Sequence, residues 1–253
     1  MSKQKRFLVA DTESTGLGNK AYVFDLAYVI SNRKGKIFCE RNYLIPEILT
    51  NPGIMLGALY NPDWRAMMGG KIFRHYIPAI ASREVELKAW REVLEIMRED
   101  IKTFGVDVFS AYNLRFDLGA MNTTHRKITE RKFPSMARLD LLCLWEFSCA
   151  TVCKSRLYHD IARERGADAG WITPANNVRT TAEKVYSYLS GNPDFIESHT
   201  ALHDAQIETE ILHRLLARKT PIPYNVLDHM PWRKAQKRQD SQLFNDPLRV
   251  DND

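Results

Sequence analysis

The first 44 residues of the chain alternate apolar runs with polar turns. The apolar run 7–10 leads into the polar segment 11–16, which predicts a buried strand that ends in a turn. Two further runs of strand-like composition, 21–31 and 36–44, are separated by the turn signal Asn32-Arg33-Lys34-Gly35. The opening therefore predicts three consecutive strands that pair in antiparallel fashion.

The pattern then loosens and afterwards becomes helical. In 45–82 several prolines and a Gly69-Gly70 pair break any regular period, so we expect an irregular or partly helical excursion. Segment 83–103 predicts a long helix with Ser82 as its N-cap, because apolar residues recur at helical spacing: Val85, Leu87, Trp90, Val93, Leu94, Met97 and Ile101.

Strands and helices alternate in the second half. We predict strands at 106–111 and 137–140, and helices at 113–127, 141–151, 180–189 and 201–216. Strands followed by strand-helix units indicate an α/β fold with a mixed sheet flanked by helices. We expect one domain over 1–220 with an irregular insertion near 45–82. The polar segment 221–253 is expected to be a partly disordered C-terminal extension.

Composition agrees with a folded chain and indicates little about partners. Of the 253 residues, 44% are hydrophobic and 26% charged, and the net charge of +5 weakly favours a polyanionic partner. The first residues do not resemble a signal peptide, and no apolar run approaches the roughly 18 to 20 residues that cross a bilayer. We therefore expect no membrane span. Four cysteines are few for a chain of this length, so we expect them to be reduced thiols in a cytoplasm.

Acidic residues stand at the ends of the predicted strands. Asp11 and Glu13 share one face of an extended chain and could hold one cation, although a solvated turn explains such a pair equally well. Asp117 lies one helical turn beyond the strand predicted at 106–111, and His199 precedes Asp204 by five residues. His199 taken singly could be an ordinary loop histidine. The joint occurrence of these residues favours a site.

Three segments carry a resemblance to a known family. Asp11-Thr-Glu13-Ser-Thr-Gly16-Leu17, Asn113-x-x-Phe116-Asp117 and His199-x-x-x-x-Asp204-Ala205 resemble the three exonuclease motifs of the DEDDh family, which has an RNase H-like fold. The motifs are three short blocks whose order fits one domain over about 5–218. Segment 177–199 resembles phage exonucleases more than cellular proofreading subunits.

The resemblance implies a role for each matched residue. It implies that Asp11, Glu13, Asp117 and Asp204 hold two Mg²⁺ ions, for which Mn²⁺ would substitute, and that His199 is the general base; these five residues would be catalytic. Contacts to the terminal nucleotide would involve Thr12, Thr15, Leu17, Asn113 and Phe116. For Leu17 and Phe116 plain core packing explains the residue type equally well, and Asn113 could simply cap its helix.

The implied activity is hydrolysis of phosphodiester bonds from the 3′ end of single-stranded nucleic acid, with DNA preferred over RNA. The products would be nucleoside 5′-monophosphates, and replication or repair proteins would be further partners. An RNA-trimming exoribonuclease of the same fold remains an alternative. A catalytically silent nucleic-acid-binding or polymerase-associated module is another, but the presence of all four acids and the histidine argues against it.

Three other features of the sequence are interpreted without a metal-binding or nucleic-acid-binding role. Cys149, Cys153 and His159 are spaced too irregularly for a zinc site. Glu208 and Glu210 are expected on a solvated helix face. The basic segment 232–238 includes Trp232, as a nucleic-acid contact would, but a solvated tail is the favoured interpretation.

Overall fold

The computed structural model describes residues 4–58, 72–133 and 138–236. Its centre is a six-stranded sheet in the order β4-β3-β2-β1-β5-β6. Strands β1, β2 and β3 pair antiparallel, whereas β5, β6 and the short β4 join the sheet in parallel. The predicted mixed α/β sheet is therefore confirmed. The strands are β1 Arg6–Ser14, β2 Val23–Asn32, β3 Ile37–Leu44, β4 Glu86–Leu87, β5 Val108–Ala111 and β6 Asp140–Cys143.

Helices cover both faces of the sheet. A 3₁₀ turn at Gly18–Lys20 and a π-helical turn at Ile72–Tyr76 accompany them. The α-helices in the described residues are α1 Pro46–Leu49, α2 Pro52–Ala58, α3 Ile77–Ser82, α4 Trp90–Thr103, α5 Leu114–Thr129, α6 Leu144–Ala150, α7 Arg156–Arg165, α8 Ala182–Ser190, α9 Ala201–Ala217 and α10 Trp232–Ala235. The excursion predicted over 45–82 is thus largely helical where it is described, and 59–71 lies outside the described residues.

Strand β1 supplies side chains to two separate cores. Leu8 and Ala10 belong to the core under α4 and α5, while Phe7 and Val9 belong to the core under α6, α8 and α9. This division follows from the alternation of side chains along an extended strand. Both faces of β1 are covered, which explains its nearly continuous apolar sequence.

Strand β1 is longer than the sequence predicted. Residues 11–13 were expected to open a turn, yet Asp11 pairs with Ala27 and Glu13 with Asp25 in the antiparallel ladder with β2. The ladder register shifts between Glu13 and Ser14. Pairing with β2 therefore outweighs the polar composition of the segment, and both acids lie on a rigid strand.

The prediction of one helix over 83–103 was wrong at its start. Arg83 adopts a left-handed conformation after α3, Leu87 pairs with β3, and α4 begins only at Trp90. Ser82 ends α3 rather than capping α4. The backbone N–H of Trp90 instead donates to Glu47 Oε1 at 3.0 Å. No local sequence signal could reveal this cap, because it comes from a residue 43 positions earlier.

The strand predicted at 137–140 and the helix at 141–151 were displaced. Leu141, Leu142 and Cys143 belong to β6 and pair with Phe109, Ser110 and Ala111 of β5. A short apolar run fits a strand or a buried helix equally well, so pairing with β5 decides the outcome. The other predicted strands and helices are confirmed with small shifts at their ends.

The C-terminal segment packs on the domain as far as residue 236. Leu141 N–H donates to Asn225 Oδ1 at 2.9 Å, and Asn225 N–H donates to the Leu141 carbonyl at 2.7 Å. Ala235 is buried, and its carbonyl lies 2.7 Å from His159 Nε2. Residues 232–235 are therefore a docked helical turn and not the solvated tail that we favoured. Residues 237–253 lie outside the described residues.

Two further observations concern membrane-spanning helices and the cysteines. In the described part of the chain, no helix is both long and apolar enough to cross a bilayer. All four cysteines are free thiols, and Cys143, Cys149 and Cys153 are buried.

Candidate functional site

Three of the predicted site residues converge at one point. Glu13, His199 and Asp204 each place a ligand atom so that all three atoms lie within 4.8 Å of one another. Glu13 comes from β1, His199 from the loop before α9, and Asp204 from the first turn of α9. Residues up to 191 positions apart in the chain therefore form one cluster, as the order of the motifs predicted.

Asp11 belongs to the same electrostatic cluster. It lies on the same face of β1 as Glu13, and it is partly buried. Burial raises the pKa of Asp11 well above its ordinary value, and the negative charges of Glu208, Asp117 and Glu13 raise it further. Such repulsion acts only between charges that are close together. The site thus concentrates negative charge.

Asp117 is held against β1 by a hydrogen bond. It lies in the first turn of α5, and its Oδ1 accepts from Thr12 Oγ1 at 2.8 Å. Burial raises the pKa of Asp117 to about 7, although the hydrogen bond from Thr12 acts in the opposite direction. Asn113 is the N-cap residue of α5 but makes no side-chain capping bond, so its exposed amide is available to a ligand.

The position of Asp204 is fixed by a second buried acid. Asp25, which stands opposite Glu13 in the β1–β2 ladder, accepts a hydrogen bond through Oδ2 from the first helical N–H of α9, at Ala201, at 3.1 Å. The same oxygen accepts from the Tyr76 hydroxyl at 2.7 Å. Asp25 therefore connects the start of the helix that carries Asp204 to the 45–82 excursion.

The two histidines of the motif have different surroundings. His199 has a positive φ of 54°, its side chain is 53% exposed, and its Nδ1 lies 3.7 Å from Glu197 Oε2. His203 Nδ1 instead lies 2.8 Å from Ser198 Oγ, and its ring stacks on Phe195. His203 Nδ1 also lies 3.7 Å from Asp204 Oδ1, but His199 is the histidine whose ligand atom groups with those of both Glu13 and Asp204.

Glu208 is a site residue that the sequence interpretation missed. We expected it on a solvated face, but it is 3% exposed, and its Oε2 accepts from the backbone N–H of Tyr112 at 2.8 Å. Burial and the charge of Asp117 raise the pKa of Glu208 well above its ordinary value. Its spacing of four residues from Asp204 on one helix was a usable signal, because such residues share a face. Glu210 is half-exposed and pairs with Arg214.

The predicted substrate contacts divide into internal and accessible side chains. Thr12 is buried with its hydroxyl on Asp117, and the Thr15 hydroxyl donates to the Lys20 carbonyl. Leu17 is 80% exposed, so core packing does not explain it. Asn113 and the half-buried Phe116 line a cavity of about 530 Å³. Contact of these five residues with a nucleotide stays a prediction.

Comparison with known proteins extends to the fold. No protein-family model matches the chain, and no curated protein matches it. The crystal structure of cell-death related nuclease 4 is similar with a TM-score of 0.52 and 16% identity over 91% of this chain and 77% of that chain. The zinc-bound E. coli exonuclease I complex with single-stranded DNA gives a TM-score of 0.49 and 14% identity over 86% of this chain.

The chain spans only 41% of the exonuclease I chain. The similarity to nuclease 4 shows a shared fold and confirms the RNase H-like architecture that the motifs implied. Neither structure bears on the resemblance to phage exonucleases, which stays a prediction.

Proposed function

We propose that the chain is a metal-dependent 3′→5′ exonuclease that releases nucleoside 5′-monophosphates from single-stranded nucleic acid. The observation that carries the proposal is the convergence of Glu13, His199 and Asp204 within 4.8 Å, beside Asp11 and Asp117. Acids from β1, α5 and α9 meet at one end of an RNase H-like sheet. A purely structural role gives no reason to bring so many like charges together.

The donor set fits hard divalent cations. Asp11, Glu13, Asp117 and Asp204 offer carboxylate oxygens, which Mg²⁺ and Mn²⁺ favour over nitrogen or sulfur. The repulsion that raises the pKa of Asp11 would be relieved by positive charge at this place. These four residues would hold two ions. When bound, the ions would stabilise negative charge on the attacking and leaving oxygens of the scissile phosphate.

His199 is suited to remove a proton from the attacking water. Its ring is half-exposed and lies next to Glu13 and Asp204, and the Glu197 carboxylate lies on its Nδ1 side. The water proton passes to the imidazole while the water oxygen bonds to phosphorus, and the bond from phosphorus to the 3′ oxygen of the preceding nucleotide breaks. The departing 3′ oxygen takes a proton from solvent, so the shortened strand leaves with a 3′-hydroxyl. Histidine is the side chain most often used as a general base at neutral pH.

Single-stranded DNA is the substrate that we propose, because the motif resemblance favours it, and RNA is the second choice. The net charge of +5 is compatible with either. Action in a cytoplasm together with replication or repair proteins is part of the same proposal.

The decisive assay uses matched DNA and RNA oligonucleotides carrying a 5′ label or a 3′ label, single- and double-stranded, with Mg²⁺, Mn²⁺ or EDTA. The proposal expects a 5′-labelled ladder that shortens from the 3′ end, immediate mononucleotide release from 3′-labelled strands, and no products in EDTA. Degradation from the 5′ end, or full activity in EDTA, would refute it. Faster turnover of RNA would assign the substrate class to the alternative exoribonuclease.

A matched pair of variants connects the activity to the site. Asp204→Asn removes one carboxylate of the cluster and should lower kcat by several powers of ten, because metal-assisted stabilisation supplies several kcal/mol. Asp160→Asn removes an exposed helical carboxylate on α7 and should leave kcat within about twofold. Equal activity in both variants would separate the nuclease activity from this site.

A further inference from the structure

The C-terminal segment forms one wall of a groove that starts at the candidate site. The cavity of about 530 Å³ beside Asn113 and Phe116 is also lined by Trp145, Asp228 and His229. A second cavity, of about 470 Å³, shares Asp228 and His229 with the first. It continues along Met230, Arg233 and Lys234. The two cavities adjoin, so the groove leads from the start of α5 to α10.

The groove is cationic. Arg115 and Arg233 are exposed, and neither makes an ion pair with a described residue. Lys234 is a third cation, and it already pairs with the buried Glu146 and with Asp228. Asp228 is the acid among the described lining residues, and Lys234 lies 3.2 Å from it. Two guanidinium groups without an ion pair to a described residue, of which that of Arg233 lies over the Trp232 ring, therefore dominate the charge of the lining.

Aromatic and amide groups accompany these cations. Trp145 is held by a hydrogen bond from its Nε1 to Thr180 Oγ1 at 2.7 Å, and Phe116 lies half-buried on the same wall. Asn19 and Asn122 add amides. Guanidinium groups bind phosphate, and aromatic rings stack on bases without regard to sequence. This combination suits a single strand of nucleic acid.

The C-terminal wall of the groove is packed against the rest of the domain. Pro231 and Ala235 are buried, His159 contacts the Ala235 carbonyl, and Gln236 Nε2 donates to the Val178 carbonyl at 3.2 Å. Arg233 and Lys234 are thereby presented from a fixed helical turn, which reduces the entropy lost when they bind a strand.

We propose that the groove between α5 and residues 228–234 binds the nucleotides of the substrate strand that precede its 3′ end. The proposal rests on the proposed exonuclease function and extends it, because it assigns a path to the part of the strand that is not being cleaved. The groove begins at Asn113, the N-cap residue of the helix α5 that carries Asp117 in its first turn, so it lies next to the acid-bearing end of that helix.

The test compares substrates of different length in the full chain. Arg115→Gln/Arg233→Gln is compared with Arg98→Gln/Arg163→Gln, which removes the same charge from exposed arginines outside the groove. For the groove variant, kcat/KM on a 12-nucleotide strand relative to a dinucleotide should fall about tenfold, and the slope of log affinity against log salt should decrease by about one. The control variant should keep the wild-type ratio.

Binding of a fluorescent 12-nucleotide strand in EDTA gives a second readout that needs no cleavage. A groove variant that binds it as wild type does, or that loses equally on both lengths, overturns the groove while leaving the exonuclease proposal intact. If wild type cleaves neither substrate, the exonuclease proposal fails. In that case the groove would still be supported if the groove variant bound the 12-nucleotide strand more weakly than wild type and the control variant did not.

Discussion

Glu208 Oε2 accepts a hydrogen bond from the backbone N–H of Tyr112 at 2.8 Å, and both residues are buried. Glu208 lies on α9 one turn after Asp204. Tyr112 directly precedes the turn into α5, which carries Asp117. This bond therefore fixes the two acid-bearing helices relative to each other across 96 residues of chain.

Replacement of Glu208 should separate its bonding role from its charge. Glu208→Gln keeps an oxygen acceptor, whereas Glu208→Leu leaves the buried Tyr112 N–H without a partner. The free energy of unfolding should be about 1–3 kcal/mol lower for Leu than for Gln, measured by urea unfolding in EDTA. Glu210→Gln, on the half-exposed neighbour, should change stability by no more than about 1 kcal/mol. Equal stability of the Leu and Gln variants would show that the bond contributes nothing.

Stability of the metal-free protein should fall as the pH rises. Burial and the nearby charges of Glu208, Asp117 and Glu13 raise the pKa of Asp11 in the folded state, and burial raises that of Asp117 to about 7. A carboxyl with a raised pKa holds its proton in the folded state at a pH where the unfolded chain has released it. Its stabilising contribution is complete below about pH 4 and is lost as the pH rises through the folded pKa.

The measurement is thermal unfolding in EDTA at pH 5 and pH 8. Asp11→Asn should lose less thermal stability between pH 5 and pH 8 than wild type does. Both proteins contain the same histidines, so the contribution of the histidines cancels when the two losses are compared. Mn²⁺ or Mg²⁺ should raise the Tm of wild type more at pH 8 than at pH 5, because metal binding competes with protons. A wild-type pH dependence identical to that of Asp11→Asn would contradict the shifted pKa.

His199→Ala should lower kcat by about 10² to 10⁴, the usual scale for loss of a general base. The acidic limb of the pH–rate profile, where the imidazole becomes protonated, should disappear with it. His203→Ala is the matched control on the same motif. Its ring contacts Ser198 and Phe195, and its Nδ1 lies 3.7 Å from Asp204 Oδ1, but it does not group with Glu13 as His199 does, so kcat should fall by less than about tenfold. A larger loss for His203→Ala would reassign the base.

The main elements of the site could be predicted because their signals are local. Asp11 and Glu13 follow an apolar run, Asp117 lies in the first turn of the helix after the short apolar strand β5, and His199 and Asp204 stand at the start of another helix. The apolar run of β1 is a local signal of the same kind. Each signal depends on only a few neighbouring residues.

The missed features depend on contacts between distant segments. Trp90 begins α4 because Glu47 caps it, and Asp11 to Glu13 stay extended because they pair with β2. Glu208 is buried where its carboxylate accepts a hydrogen bond from the Tyr112 N–H. Polar residues whose partners lie far away in sequence look solvated from the sequence alone.

Tyr76→Phe should destabilise the protein by about 1.5–3 kcal/mol, because its hydroxyl donates to the buried Asp25 carboxylate at 2.7 Å. The free energy of unfolding in urea measures the effect. Tyr186→Phe is the control. Its hydroxyl contacts the half-exposed Glu210 at 3.2 Å, and its loss should cost less than about 1 kcal/mol. Equal small losses would show that the 45–82 excursion is not tied to the sheet through this bond.

Leu17 tests whether the exposed residue after the first motif contacts the substrate. An 80% exposed leucine contributes little to folding, so Leu17→Ser should change the free energy of unfolding by less than about 0.5 kcal/mol. If the side chain packs against the terminal base, it is buried only when the strand binds. That burial is worth about 1.5–3 kcal/mol, so KM should rise about 10- to 100-fold.

The control for this prediction is Leu87→Ser on the edge strand β4, where the leucine is 48% exposed and lies outside the lining of the groove. Leu87→Ser should leave KM within about twofold. A rise in KM without a change in Tm would separate substrate contact from folding, because a folding defect lowers both stability and the active fraction. An unchanged KM for Leu17→Ser would remove Leu17 from the substrate site and leave the carboxylate cluster unaffected.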